Sequence, residues 1–158
     1  MAETMAALEG ARKAGLIRHV GVCNFGVEDL KEIQAAAEEV GAPPIVSNQV
    51  CYSPLWRALE AQVVPYCVAQ QISILPWGPL AQGVLTGKFP TVDDVPPGRA
   101  RTRLFSKQRE FQRHGEEGFE AEMQGVVDEL KAISEAESPP MPMANVALGT
   151  YIRIPAQL

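Results

Sequence analysis

The sequence predicts an α/β fold built on a parallel sheet, and three observations support this prediction. Short apolar, β-branched segments alternate with amphipathic helical segments at roughly 25-residue spacing, which is the pattern of βα units. Polar residues follow or interrupt each predicted strand, where ligands bind in α/β proteins. The chain has 158 residues, 46% of them hydrophobic, so it can bury one sizeable core. The alternation alone allows an open doubly wound sheet and a closed barrel equally.

The first three elements alternate helix, strand and helix. Residues 1–14 have apolar side chains at helical spacing, and Gly15 stands where that helix would end. Residues 17–25 are short, apolar and β-branched, which predicts a buried strand ended by Gly26. Over residues 27–40 the apolar positions recur every three or four residues, which predicts an amphipathic helix.

Two more strands and one helix follow. Residues 45–50 are predicted as the second strand, residues 59–71 as a helix, and residues 72–75 as the third strand. Pro65 lies inside the predicted helix and removes one backbone hydrogen-bond donor. We therefore expect a kink at Pro65 unless the helix begins there.

Residues 78–117 are predicted to form a long loop, because glycine and proline recur throughout this segment. Loops of this length inside compact domains are usually functional lids or binding segments. Residues 118–136 then have apolar side chains on one helical face, and residues 143–151 are predicted as a last short helix.

Composition excludes several classes of partner. There are 14 Lys and Arg residues against 19 Asp and Glu, a net charge of −5, so no basic patch points to nucleic acid or to an anionic membrane surface. No apolar run approaches the ~20 residues that cross a bilayer. We expect a cytoplasmic protein that is not bound to a membrane.

The three cysteines give no sign of a disulfide framework or a metal site. Cys23, Cys51 and Cys67 are odd in number and have no CxxC spacing. We expect three buried thiols in a reducing compartment and no bound metal.

Polar or aromatic side chains mark the ends of the three predicted strands. Cys23 and Asn24 follow the first, Gln49 lies on the second, and Trp77 follows the third. These residues are candidates for a ligand site at the carboxyl edge of the sheet. The alternative is that Asn24 and Asn48 cap turns while Gln49 satisfies a backbone group.

Four segments in this order resemble the aldo-keto reductase family. Residues 15–25 read GLIRHVGVCNF and are similar to the family's GKIRxVGVSNF, and residues 47–55 read SNQVCYSPL against its NQxxYSPL. Residues 76–88 read PWGPLAQGVLTGK against YSPLAxGxLTGK, and residues 143–148 resemble the late xAQVAL helix. The resemblance implies that residues 1–158 form a partial (β/α)8 TIM barrel, about strands 5 to 7 with their helices, with the barrel not closed.

The resemblance also implies that the protein binds NADP(H) and reduces carbonyl compounds. Asn24 and Gln49 would hydrogen-bond the nicotinamide carboxamide, because a side-chain amide matches both its acceptor and its donor. Cys23 stands where the family has serine, and a thiol makes a weaker hydrogen bond. Trp77 occupies a position whose aromatic ring stacks on the nicotinamide.

The long loop would bind the phosphates of the cofactor. By resemblance, Leu80, Gln82 and Gly83 would offer backbone N–H groups to the pyrophosphate, and Gly78 belongs to the same cofactor-binding segment. Arg99 lies in the stretch that borders the substrate mouth, although a solvated basic loop explains it equally well.

No catalytic residue is predicted. A complete barrel needs about 250 residues, and the family's catalytic Tyr, Asp, Lys and His lie on the first four strands, which this chain is expected to lack. The three tyrosines, Tyr52, Tyr66 and Tyr151, belong to other segments. His19 is predicted to lie within a strand and His114 in the basic loop.

These inferences lead to one main functional hypothesis and two alternatives. The main hypothesis is an NADPH-dependent oxidoreductase of aldehydes and ketones, represented by its cofactor-binding C-terminal half. We expect this chain alone to be inactive, to bind the cofactor weakly, and to self-associate through open sheet edges. Residues 151–158 do not resemble the family's contacts to the 2′-phosphate, which leaves the choice between NADP and NAD open. The alternatives are a non-catalytic nucleotide-binding or regulatory module, and a non-functional gene fragment.

Overall fold

The computed structural model describes residues 1–110 and 115–152, the last by its backbone alone. The helices and strands, in chain order, are α1 (Ala2–Lys13), β1 (Gly21–Cys23), α2 (Val27–Glu39), β2 (Ser47–Cys51), α3 (Val63–Ala69), β3 (Ser73–Trp77), α4 (Glu120–Ala136) and α5 (Met143–Ile152). The chain divides into two compact units. The first consists of Met1–Tyr52 and Trp56–Trp77, and the second of Ser53–Leu55 and the described residues from Gly78 onward.

The first unit is built on a three-stranded parallel sheet in the order β1-β2-β3. Cys23 of β1 pairs with Gln49 of β2, which in turn pairs with Leu75 of β3. Within the described residues β1 and β3 pair only with β2, so the sheet is not closed. Val22 and Ile74 lie on the face that packs against the helices, whose core consists of Met5, Leu30, Ile33, Ala36, Ala37, Ile45, Cys67 and Ile72.

The structure confirms the α/β fold and the parallel sheet. Helices α1, α2, α4 and α5 begin and end within two residues of the predicted limits. Gly15 and Gly41 follow the first two helices with φ of +75° and +66°. Glycine reaches this left-handed region without steric cost, which explains why both helices end there.

The prediction of a short buried strand over residues 17–25 is wrong in its limits and in its burial. The strand is limited to Gly21–Cys23, where the first and last residues are exposed and Val22 is half-buried. His19 precedes the strand and is exposed, although the N–H of Val46 still donates to the carbonyl of Val20 at 2.9 Å. The strand is short and exposed because it lies at the edge of the sheet, with a partner on one side only.

The helix predicted over residues 59–71 is interrupted. A 3₁₀ turn, Ala58–Ala61, precedes the separate helix α3, which begins at Val63. Pro65 therefore lies in the first turn of α3. A missing N–H has no consequence in the first turn, because the first four N–H groups of a helix have no helical acceptor.

The second unit has a core of its own. Helices α4 and α5 contribute to this core, and so does the segment predicted as a loop. The buried residues of the segment are Val84, Leu85, Val92, Val95, Ala100 and Phe105, and those of the two helices are Met123, Val127, Leu130, Met143 and Ala147. The segment 78–117 includes two short 3₁₀ helices, Ala81–Thr86 and Val92–Asp94. Its proposed binding role stays a prediction.

Arg109 links two parts of this segment to each other and to α4. The Arg109 guanidinium donates to Asp93 Oδ1 at 2.6 Å and to Glu120 Oε1 at 3.3 Å. It also lies 4.8 Å from the centre of the Phe105 ring. Such charge-assisted contacts in a half-buried position hold the loop close to its own core.

The described ranges contain neither a membrane-spanning helix nor a cluster of metal ligands. No helix there has the length and apolar character needed to cross a membrane. In residues 1–110 and 115–152, the His, Cys, Asp and Glu side chains form no group of three that could hold a metal ion.

Candidate functional site

Four predicted site residues meet at the carboxyl ends of β1, β2 and β3, and we call them the amide cluster: Cys23, Asn24, Gln49 and Trp77. The indole Nε1–H of Trp77 donates to Asn24 Oδ1 at 2.8 Å. The Cys23 thiol donates to Gln49 Oε1 over an S···O distance of 3.6 Å. The backbone N–H of Asn24 also donates to the carbonyl of Gln49 at 2.8 Å.

The register of the sheet explains this convergence. Cys23 pairs with Gln49, and Cys51 pairs with Trp77. Paired residues share a face, and residues two apart on one strand share a face as well, so Cys23, Gln49 and Trp77 lie on the same side of the sheet. Asn24 and Gln49 are exposed, and 43% of Trp77 is exposed. The cluster therefore presents amide groups and an aromatic ring at the exposed face of the sheet.

Asn24 leaves the strand in a left-handed conformation, with φ of +58°. Asparagine tolerates this region better than most residues. Asn48, on the neighbouring strand β2, is fully buried. Its side-chain oxygen accepts the N–H of Phe25, and its NH2 group donates to the carbonyl of Phe25. The turn-capping alternative is thus right for Asn48, whereas the side chains of Asn24 and Gln49 bond Trp77 and Cys23.

The predicted phosphate-binding loop lies in the second unit and has an unusual backbone. Ala81, Gln82 and Gly83 have φ of +45°, +56° and +101° in succession. Leu80 precedes them with φ of −103° and ψ of +16°. In general, a right-handed residue followed by a left-handed one turns successive N–H groups toward one side, an arrangement that binds anions in phosphate sites.

Two details of this loop refine the prediction. Gly78 also adopts a positive φ, +67°, and its carbonyl accepts the N–H of Ala81 at 2.9 Å. The N–H of Gly83 donates to the carbonyl of Leu80 at 2.9 Å. Gly83 thus closes a turn of the loop, and its role toward a phosphate stays a prediction.

Arg99 lies against this loop. Its Nη1 donates to the carbonyl of Gln82 at 3.3 Å, and a Cβ added at Gly83 would lie 3.2 Å from the same nitrogen. The structure therefore places a positive charge beside the left-handed residues of the loop. The sequence left two interpretations of Arg99 open, the border of the substrate mouth and a solvated basic loop. Nothing in a separation of 16 residues from Gly83 indicates this contact.

Tyr52, in the segment that resembles NQxxYSPL, is buried and takes part in a hydrogen-bond network with two partly exposed charged residues. Its hydroxyl donates to Glu60 Oε1 at 2.6 Å, and Arg57 holds the same carboxylate through two bonds of 2.8 Å. Arg57 first, and the Tyr52 hydroxyl second, lower the pKa of Glu60 to about 2. Glu60 is thus ionised across the physiological pH range. The Tyr52 hydroxyl is engaged as a hydrogen-bond donor to this carboxylate.

The other two tyrosines also donate to protein acceptors. The Tyr66 hydroxyl lies 2.7 Å from Gln34 Oε1, and the Tyr151 hydroxyl lies 2.9 Å from the carbonyl of Pro79. His114 and residues 153–158 fall outside the described residues.

The expectation of three buried thiols is wrong for two of them. Cys23 is exposed, Cys51 is half-buried, and Cys67 is buried. Cys23 and Cys51 lie on the sheet face that carries the amide cluster, whereas Cys67 belongs to the helix-side core. Burial raises the pKa of Cys51 and of Cys67, and a hydrogen bond from Asn48 partly opposes the rise at Cys67.

We expect the three thiols to react with an alkylating reagent in the order Cys23, Cys51, Cys67. Burial removes access and disfavours the thiolate, so Cys67 should react slower than Cys23 by a factor on the order of ten or more. Timed iodoacetamide labelling followed by peptide mass spectrometry measures the three rates. The variant Cys23→Ala is the control, and equal rates at Cys23 and Cys67 would contradict the described burial.

The fold and this cluster define an α/β protein of the class in which ligands bind at the carboxyl ends of parallel strands. Comparison with known proteins identifies the family. A model of the Aldo/keto reductase family matches residues 1–149. The chain belongs to this family, and its fold is part of a (β/α)8 barrel that is not closed.

Individual relatives agree with this assignment. The chain is 34% identical over 110 residues to the NADH-specific methylglyoxal reductase of Escherichia coli, covering 70% of this chain and 31% of that protein. It is 29% identical over 146 residues to the aldo-keto reductase AMT2 of Alternaria alternata, covering 92% and 36%. The glycerol dehydrogenase AKR11B4 of Gluconobacter oxydans has the same fold, with a TM-score of 0.70 and 24% identity, covering 96% of this chain and 41% of that one. The chain spans about a third of the length of the curated relatives it matches.

Proposed function

We propose that this chain supplies the cofactor-binding part of an NADPH-dependent oxidoreductase that reduces aldehydes and ketones. The observation that carries the proposal is the amide cluster, in which two exposed carboxamides and an exposed indole lie together at the carboxyl ends of three parallel strands. Family membership supports it, because the cluster consists of the residues that match the family's cofactor contacts.

The chemistry of the cluster suits a nicotinamide carboxamide. That group has an acceptor oxygen and a donor NH2, and the side chains of Asn24 and Gln49 offer both complements. Their oxygens already accept from Trp77 and Cys23, which holds the amides in place and leaves the NH2 groups to donate to a ligand carbonyl. When bound, the reduced nicotinamide supplies a hydride, and the amides would select the ring face that gives it up.

The Trp77 ring would position the planar nicotinamide by stacking. An indole offers a larger face than the tyrosine that is more frequent in the family at this position. The hydrogen bond from its Nε1–H to Asn24 Oδ1 restricts rotation of the indole side chain. Stacking and the amide contacts would therefore orient the ligand together.

In the second unit, the loop from Gly78 to Gly83 would bind the pyrophosphate. The backbone N–H groups of Leu80 and Gln82, on either side of the left-handed Ala81, would donate to it, while the N–H of Ala81 donates to the carbonyl of Gly78. The Arg99 guanidinium beside Gln82 would add charge, and such charge-assisted contacts are the stronger ones in phosphate sites.

A nucleotide-binding module without turnover is the second candidate. The observation that favours it is that all eight predicted site residues match cofactor contacts, and none matches a proton donor. Both candidates predict cofactor binding and no turnover by this chain alone, so turnover by the chain would eliminate this second candidate.

We expect saturable but weak binding of NADPH, because a site that is incompletely ordered binds with its competent fraction only. Titration of the purified chain, followed by the fluorescence of the reduced nicotinamide, measures the affinity. Removing the stacking ring by Trp77→Ala should weaken binding by about tenfold. The matched control Trp56→Ala removes another partly exposed indole and should change affinity less than about twofold.

The titration is repeated with NADH, since one relative is an NADH-specific enzyme. A clear preference for either coenzyme fixes the cofactor of this chain. Absence of saturable binding with both, in a chain whose circular dichroism shows it folded, would refute the proposed function.

A further inference from the structure

A buried carboxamide lies directly behind the amide cluster. Asn48 is 0% exposed, and it lies on β2 beside Gln49 but on the opposite face of the sheet. Its Nδ2–H donates to the carbonyl of Phe25 at 2.9 Å, and its Oδ1 accepts the N–H of Phe25 at 3.3 Å.

These bonds enclose the strained residue of the cluster. Asn24 has φ of +58°, and its own N–H is held by the carbonyl of Gln49 at 2.8 Å. The backbone N–H and the backbone carbonyl of the next residue, Phe25, are both hydrogen-bonded to the Asn48 side chain. The left-handed turn is therefore held at Asn24 by the Gln49 carbonyl and at Phe25 by the Asn48 side chain, and these two partners are neighbours on β2.

The side chain of Asn48 replaces a neighbouring strand at this point. Where β1 ends, the peptide groups of the chain leave the ladder and need other partners. A carboxamide has the same donor and acceptor as a peptide group, so one side chain satisfies both backbone groups of Phe25. An ionised aspartate satisfies only the N–H, and an apolar residue of similar size satisfies neither.

We infer that Asn48 is a positioning residue of the candidate cofactor site: its buried carboxamide holds Asn24 in the left-handed conformation and so sets the position of the Asn24 amide that would meet the nicotinamide. The inference rests on the proposed function for its consequence in cofactor binding. Its structural part concerns the free protein alone and can be tested without a ligand.

The first test uses the free protein. Asn48→Asp keeps the size and one acceptor but loses the donor to Phe25, and it places a carboxylate against that carbonyl. We expect the indole N–H signal of Trp77 in a 1H–15N spectrum to shift and to exchange with solvent at least about tenfold faster, because its acceptor on Asn24 moves. The indole signal of Trp56 is the internal reference. Ile33→Val, a conservative change in the same unit's core, should move neither signal.

An unchanged Trp77 signal in Asn48→Asp would overturn the inference. Should this variant fail to fold, hydrogen exchange of the unaltered chain decides the question. The Phe25 amide donates to a fully buried acceptor, so it should exchange at least about tenfold slower than in an unstructured peptide. Exchange of that amide at the unprotected rate would overturn the inference as well.

The second test concerns affinity and separates positioning from general stability. Asn48→Asp should weaken NADPH binding by about tenfold, as the competent fraction of the site falls. In an Asn24→Gly background the same substitution should have no further effect, because glycine adopts a positive φ freely and carries no amide to position.

The double-variant cycle has two informative outcomes. Loss of the Asn48→Asp effect in the Asn24→Gly background supports action through Asn24. Equal weakening in both backgrounds would show that Asn48 serves stability only, and would overturn the inference. Absence of binding by the unaltered chain refutes the proposed function instead, and the indole and exchange measurements then decide the positioning role alone.

Discussion

The purified 158-residue chain is expected to show no detectable NADPH-dependent reduction of aldehydes or ketones. Carbonyl reduction needs a group that protonates the carbonyl oxygen as hydride arrives, and general acid catalysis contributes about 10²- to 10⁴-fold. By resemblance, the family's proton donor and its partners lie on segments that do not match this chain. Its tyrosine hydroxyls donate to Glu60, Gln34 and Pro79.

The measurement is the decrease in NADPH absorbance with a panel of aldehydes and ketones, beside an intact aldo-keto reductase as the positive control. The chain is assayed with cofactor well above the dissociation constant found by titration, so that weak binding does not hide turnover. Turnover that Trp77→Ala abolishes and Trp56→Ala preserves would contradict the prediction. It would show that a group of this chain donates the proton, and it would eliminate the non-catalytic module as well.

Local patterns were sufficient to predict most of the elements and the composition of the cluster. The spacing of apolar residues set the limits of α2 and α4 to within two residues, because each helix buries one continuous stripe. The convergence of Asn24, Gln49 and Trp77 also follows from sequence, since parallel strands end at one edge of a sheet. Their role toward a cofactor stays a prediction.

The different roles of Asn48 and Gln49 could not be read from the sequence. The two residues are adjacent and have the same functional group, and alternation shows only that they face opposite sides of the sheet. Which side is covered depends on the packing of the helices, a property of the tertiary structure. The exposure of Cys23 has the same origin, because thiols are usually buried and only the uncovered face makes this one accessible.

The contact of Arg99 with the phosphate-loop candidate was missed for another reason. It joins residues 17 positions apart through a loop that has no periodicity. The one local signal was the run of residues Ala81 to Gly83, where glycine indicates a positive φ but alanine and glutamine do not. Strained backbone at non-glycine residues is set by surrounding structure, so it is found only in coordinates.

A second large effect is expected in the association state: the chain should form oligomers whose size increases with protein concentration. In the described residues, β1 and β3 each have one partner, and the unpaired edge of a strand pairs readily with another chain. Leu75 is 46% exposed on β3, on the same face as the exposed Trp77. Apolar side chains beside an open edge favour association.

The variant Leu75→Lys tests whether this face carries the contact. A charged side chain there would oppose burial of the edge, and burial of the exposed half of one leucine contributes about 0.7–1.5 kcal/mol, so its loss should lower the association constant roughly 3- to 10-fold. The control is Leu16→Lys, which places the same charge at a leucine that is 78% exposed and lies outside the sheet. Size-exclusion chromatography with light scattering over a range of concentrations measures the masses. A monomer at every concentration would contradict the prediction of association, and equal effects of the two lysine substitutions would show that the sheet face is not the contact.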